Sequence, residues 1–212
     1  MTKQDPTSPA PTSSDRDAVR EEALVALHRA LASRPFRPLL LLGSRPNARR
    51  TFLEDFAREG ESLGFLVSRI DARETDFLGR LLGERKRILQ TLGNECRRPS
   101  EMPYDVETGG PVAELMLPDL LEEAGESVRA AGKGWLLTVN DMHRLPKKEL
   151  AALIAGLHRI AKRNLPVVLL GAGLPKLARL SGDAMPYAER LFLFRPLLGN
   201  ASAPNKKKEL VR

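Results

Sequence analysis

An α/β fold, a three-layer sandwich built on a mostly parallel five-stranded sheet, is what this sequence predicts. Two observations carry the prediction. Short apolar runs recur at Leu39 to Leu42, Phe65 to Ile70, Trp135 to Val139, Leu165 to Leu170 and Leu191 to Phe194, each too short for a helix and too continuous for a strand with one wet face. Between them lie longer stretches whose apolar residues repeat at helical spacing, and that alternation places helices on both faces of a parallel sheet with right-handed connections. Ligands of such sheets bind beyond the carboxyl ends of the strands, and the polar residues of interest fall there.

The elements follow in order. Residues 1 to about 16 carry Pro6, Pro9 and Pro11 among serines and threonines, the composition of a disordered leader. From Asp17 to Ala32 the residues Val19, Ala23, Leu24, Leu27, Ala30 and Leu31 mark an amphipathic helix, with Asp15 or Asp17 as its cap. Pro38 leads into the first strand, and a helix beginning near Arg49 or Arg50 carries Phe52, Leu53, Phe56 and Leu63 before ending near Gly64. The second strand closes at Asp71 and completes a β-α-β unit. Phe77 to Leu92 is the next helix, the segment from Gly93 to Gly110 reads as an irregular loop, and residues 112 to 131 return to helical spacing around Pro118, which must sit in a first turn or make a kink. Trp135 to Val139 delivers Asn140 and Asp141 at a strand end. A helix through Leu150, Leu153, Ile154, Leu157 and Ile160, the fourth strand, a short helix near Pro175 to Ser181 and the fifth strand complete a core over residues 17 to 198. Residues 199 to 212, with a lysine triplet at 206 to 208, form a basic polar tail.

A chain of 212 residues with 42% hydrophobic and 29% charged residues can bury an ordinary core without staples. Its single cysteine, Cys96, excludes a disulfide framework and a cysteine-based zinc site, and a reducing, cytoplasmic setting is the expectation. No apolar run has signal-peptide or membrane-spanning length. A net charge of +7 permits nucleic-acid contact, although dispersed cations and 5% aromatic residues are poor material for base stacking.

The stretch Leu39 to Thr51, LLLLGSRPNARRT, has the order strand, polar loop, helix N-terminus that binds phosphate. Five arginines, at 34, 37, 45, 49 and 50, stand there without a carboxylate between Arg34 and Leu53, so the local field favours an anion. Against G-x-x-x-x-G-K-[ST], Gly43 falls in place, Ala48 stands for the second glycine, Arg49 for the lysine and Arg50 for the hydroxyl, with Thr51 one residue beyond. The competing reading is a basic surface turn.

The segments GWLLTVNDMHRLPKKELAAL, LPVVLLGAGLP and YAERLFLF, in this order and spacing, resemble the AAA+ class of P-loop NTPases, in particular AAA-type ATP-binding proteins of bacteria related to the origin-recognition and archaeal ATPase group. The likeness spans roughly Glu22 to Pro196. It implies a sheet of order 5-1-4-3-2, ATP and Mg2+ at the loop after the first strand (Gly43, Asn47, Ala48, Arg49, Arg50 and Thr51), and a helical lid after the fifth strand. The magnesium aspartate of the family corresponds to Asn140, which has no charge to offer, and the glutamate that polarises water corresponds to Asp141, one methylene shorter. Asn140 and Asp141 are thus the metal candidates and Asp141 a handicapped base. Arg190 stands where the family places the arginine that reaches a neighbour's γ-phosphate, and the tail after Pro196 is too short and polar to make the lid.

Each residue keeps a plainer alternative: Asn140 and Asp141 as a polar strand end capping a helix, His143 as a surface histidine, Arg190 as a salt-bridge partner, Cys96 as incidental. Two functions are expected on this basis. One is an ATP-binding domain in which nucleotide is a structural or switching ligand, with hydrolysis slow or absent; the other is a pseudo-ATPase that has lost nucleotide binding and serves as an interaction module. The partners expected are a second copy of the chain or a larger ATPase, with nucleic acid a weaker option and no membrane.

Overall fold

The computed structural model describes residues 13–74, 76–93 and 111–197, with the side chains of 13–15 and 111–114 left aside. Five strands, β1 (Leu39–Leu42), β2 (Leu66–Asp71), β3 (Trp135–Asn140), β4 (Val167–Gly173) and β5 (Leu193–Pro196), form one parallel sheet of order β2-β3-β4-β1-β5. That is the expected 5-1-4-3-2 order. The helices are α1 (Ser13–Leu31), α2 (Pro46–Ser62), α3 (Phe77–Thr91), α4 (Pro111–Ala130), α5 (Lys147–Lys162), α6 (Leu177–Ala184) and the single turn α7 (Ala188–Leu191).

Alternation along the strands builds two cores. Leu39 and Leu41 of β1 and Leu136 of β3 face α1 and α2, where they meet Leu27, Phe52 and Phe56. Leu40, Trp135, Leu137 and Val139 point the other way, into a larger cluster with Leu81, Leu121, Leu153 and Leu157 from α3, α4 and α5. Every residue of β3 and β4 is buried. Burial on both faces is why these strands read as unbroken apolar runs. The Trp135 indole N–H, which could not be buried unpaired, donates to Ser68 Oγ at 2.9 Å.

Several boundaries differ from the sequence reading. Helix α1 (Ser13–Leu31) takes Asp15 and Asp17 into its body, where neither is the cap expected of it, and residues 1 to 12 of the expected leader lie outside the described residues. Helix α2 begins at Pro46 instead of near Arg49, because proline fits a first helical position whose N–H has no partner anyway. Pro118 lies within α4, past its first turn. The Gly171 to Gly173 stretch belongs to β4, and Leu191 to α7 instead of β5. Residues 94–110, expected to form an irregular loop and including Cys96, and residues 198–212, expected to hold the basic tail, lie outside the described residues. No helix among the described residues is long and apolar enough to cross a membrane.

Candidate functional site

Only Gly43, Ser44 and Arg45 separate β1 from α2. Gly43 is pinned at both ends: its N–H donates to Gly173 O at 2.9 Å, and a β-carbon on it would stand 2.8 Å from the Leu197 carbonyl oxygen. A glycine is required here because the chain leaving β5 passes against it, a packing reason that the motif spacing does not reveal. With the helix starting three residues ahead of Arg49, the loop has no length left to wrap a phosphate. Pro46 offers no N–H, and the Arg49 N–H is already bonded to Arg45 O at 3.3 Å.

Arg49 is the centre of the site. Its side chain is 2% exposed; Nη1 donates to Gly43 O at 2.5 Å and Nη2 to Asp141 Oδ1, while Nε is buried without a partner. The guanidinium therefore lies across the carboxyl ends of β1 and β3, between the short loop and the acid. Asp141 is 4% exposed and left-handed at φ 53°, a conformation that aspartate tolerates better than most residues. It makes no side-chain capping bond to the 3-10 turn Met142–Arg144, so the capping alternative is not what the structure has.

The second oxygen of Asp141 faces Arg73 Nε at 3.2 Å. Arg73 also holds Asp71 at the end of β2, with Nε at 3.0 Å from Oδ1, Nη2 at 2.6 Å from Oδ2 and its backbone N–H at 2.9 Å from Oδ1. Burial alone would raise the Asp71 pKa; the side-chain and backbone bonds from Arg73, helped by Asn140, outweigh it and bring it to about 2. Asn140 donates from Nδ2 to Asp71 Oδ2 at 3.3 Å, and its Oδ1 is buried with no protein donor. The result is one chain of charges, Arg49, Asp141, Arg73 and Asp71, two of each sign, that ties β1, β3 and β2 together at their carboxyl ends. Sequence reading found Arg49, Asp141 and Asn140 and missed Arg73, whose only signal is its place two residues after the Asp71 strand end.

His143 is not a surface residue. Its side chain is 7% exposed, Nδ1 accepts from the Leu174 N–H at 3.3 Å, and the ring packs beside Gly173, where a β-carbon would come within 3.2 Å of Nδ1. Burial lowers its pKa, Asp141 pulls in the opposite direction, and the Arg49, Lys176 and Arg144 charges add to the lowering.

The remaining expectations are dispersed. Asn47, Arg50 and Thr51 are exposed on α2 and Ala48 is half-buried beside them. Of the five arginines, Arg34 and Arg37 sit at the amino end of β1, the wrong end for an anion site. Arg37 instead caps α7, donating to the carbonyls of Glu189 at 2.9 Å, Leu191 at 3.4 Å and Phe192. It thereby fixes Arg190, which is exposed and, among the described residues, has no carboxylate partner. Because β5 starts opposite Leu39, Arg190 stands at the amino end of the sheet and Asp141 at the carboxyl end. The two catalytic candidates cannot meet within one chain.

The fold implies a nucleoside triphosphate and a divalent metal, and the residues do not fit either. The phosphate space holds a guanidinium, both strand-end carboxylates are held by arginines, Asn140 carries no charge, and no cluster of His, Cys, Asp or Glu among the described residues could hold a metal ion.

No protein-family model and no curated protein matches the sequence. Solved structures do. The Cdc6p structure from Pyrobaculum aerophilum aligns with a TM-score of 0.58 and 16% identity over 90% of this chain and 48% of that one. The Aeropyrum pernix ORC2 protein in its ADP form gives 0.55 and 15% over 91% and 51%. Drosophila ORC bound to AT-rich DNA and Cdc6 gives 0.55 and 11% over 87% and 28%. The chain thus spans about half the length, or less, of the structures it resembles. Together with the strand order, these likenesses identify its fold as that of the AAA+ P-loop NTPases.

Proposed function

We propose that this chain is an AAA-type domain whose nucleotide site is filled by its own Arg49, and that it acts as an interaction module without binding or hydrolysing ATP. The observation that carries the reading is the buried guanidinium bonded to both Gly43 O and Asp141. A phosphate entering this space would have to displace an ion pair already desolvated and closed, and would find a loop of three residues in place of an amide cradle. Phosphoryl transfer depends on positioning and electrostatics, and no carboxylate at the strand ends is free to order a metal or a water. The relatives support assembly as a role by analogy of fold: Drosophila ORC is a structure of several proteins with DNA. A second copy of this chain, or a larger ATPase, is the kind of partner that the reading calls for.

Titration with a fluorescent ATP analogue, with and without Mg2+, tests the proposal. The expected outcome is no saturable binding up to about 1 mM, a free energy no better than roughly −4 kcal/mol. Binding at low micromolar concentration that Arg49→Ala abolishes would overturn it, as would phosphate release above that of an Asp141→Ala control.

A further inference from the structure

Charge at the carboxyl end of the sheet is divided in two. On the β2 side three of the cations are engaged by carboxylates, Arg73 with Asp71 and Asp141, Arg80 with Glu74, and Arg69 with Glu54 at 3.4 Å and Glu61 at 2.8 Å, and Arg50 stands exposed beside them. On the β3 and β4 side the exposed residues Arg144, Lys147, Lys148 and Lys176 have no carboxylate partner among the described residues. Arg144 ends the 3-10 turn after β3, Lys147 and Lys148 open α5, and Lys176 precedes α6 after β4. Since β3 and β4 are hydrogen-bonded neighbours, roughly 5 Å apart, these two loops lie side by side. The nearest buried acid, Asp141, is taken by Arg49 and Arg73 and neutralises nothing outside. Two lysines in the first turn of α5 also oppose the helix dipole, and Glu149, the acid of that turn, offsets only part of their charge.

We infer that this half of the rim, Arg144, Lys147, Lys148 and Lys176, is a docking surface for an acidic protein segment carrying several Asp or Glu residues. A polynucleotide fits less well. On the adjoining half of the rim the exposed carboxylates Glu54 and Glu74 are paired with Arg69 and Arg80, so that half is close to charge balance and gives a phosphate backbone running on across it little further positive charge. The loops 141–147 and 174–176 contain no Phe, Tyr or Trp on which a base could stack. Four cations on two short loops match a short run of carboxylates better than the track of phosphates that a duplex presents. The inference names the partner of the interaction module proposed above and rests on that reading for its purpose, but it uses a different set of residues.

Fluorescence anisotropy on the full chain decides it, with a labelled peptide of about 12 residues alternating Glu and Ser, and a labelled duplex of about 20 base pairs, both near 0.15 M salt. The expected result is saturable peptide binding, weakened about tenfold or more by Lys147→Glu with Lys148→Glu and unchanged by Lys133→Glu with Lys162→Glu, two exposed cations at the amino end of the sheet. Acidic residues suit a helix N-terminus, so the first variant should unfold at the same denaturant concentration or higher, and loss of binding would not reflect loss of fold. Absence of peptide binding, or equal loss in both variants, overturns the inference. So does tighter, rim-dependent binding of the duplex, which would make this a nucleic-acid surface. An ATP titration on the same sample keeps the two proposals apart: nucleotide binding beside intact peptide binding would sink the reading of the closed site and leave the docking surface standing.

Discussion

Two arginine and carboxylate networks in this molecule use the same chemistry in opposite surroundings. At the carboxyl end of the sheet, Arg49 and Asp141 are 2% and 5% exposed in their side chains and tie strands together from inside. Across the outer surface of α4 and α5, Arg159 reaches Asp119 and Glu122, while Arg163 reaches Glu122 and Glu126, both at 2.5 Å, with the arginines 45% and 46% exposed. The surface ladder has more bonds, and it is the weaker of the two to break. Water stands ready to replace any of its partners, whereas a buried charge deprived of its partner has no alternative. The difference teaches that burial, and not the number of bonds, ranks the two networks: the Arg49 pair joins the loop after β1 to the end of β3 from inside, where a lost partner is not replaced.

The largest expected effect comes from breaking the buried pair at its acid. Asp141→Asn keeps a residue that tolerates the left-handed backbone and removes only the charge, leaving Arg49 and Arg73 facing each other. A loss of about 3 kcal/mol in urea unfolding is expected. Arg49→Met should lose less, because Asp141 keeps Arg73. An Asp141→Asn loss equal to that of a surface carboxylate would show that the pair is solvated and the comparison false.

Acid should attack the same network in two steps. His143 has a lowered pKa in the fold, so the unfolded chain binds the proton more readily; stability declines as pH falls below about 6.5, and His143→Gln should flatten that part of the profile. Asp71, at about 2 in the fold against 3.8 normally, stabilises fully above its unfolded value and loses this as pH falls from about 4 towards 2. Allowing for its partial exposure, the contribution is about 1–2 kcal/mol, and Arg73→Ala should remove it at neutral pH while making the profile below pH 4 shallower. A profile below pH 4 as steep in Arg73→Ala as in the parent chain would mean that Arg73 does not hold Asp71.

The smallest effect belongs to the ladder. Arg163→Ala should leave the urea midpoint almost where it is in the parent chain, and the small difference should shrink further in 0.5 M salt, where screening falls within roughly 5 Å. A larger, salt-insensitive loss would erase the distinction drawn between the two networks.

The fold was legible because its signals are local and redundant. Each strand is a continuous apolar run, each helix an amphipathic period, and the alternation admits few topologies, so the 5-1-4-3-2 order that the family resemblance implied is the one found. Gly64 past the end of α2, left-handed at φ 86°, is a boundary read correctly for the same reason. The start of α2 was misread because the motif template placed the helix at Arg49, whereas Pro46 supplies its own start signal. What the sequence could establish about the site was the inventory: Gly43 near a strand end in its motif position, and Arg49, Asn140 and Asp141, each altered from the family pattern. It could not say that Arg49 turns inward to meet Asp141, that Arg73 bridges two carboxylates, or that Arg37 caps α7 far from the anion site with which its position in the chain associates it. Those pairings join residues up to 155 positions apart, and no local rule of spacing contains them. They are decided by which groups the folded sheet brings into a dry space, where each charge must find a partner or not be there.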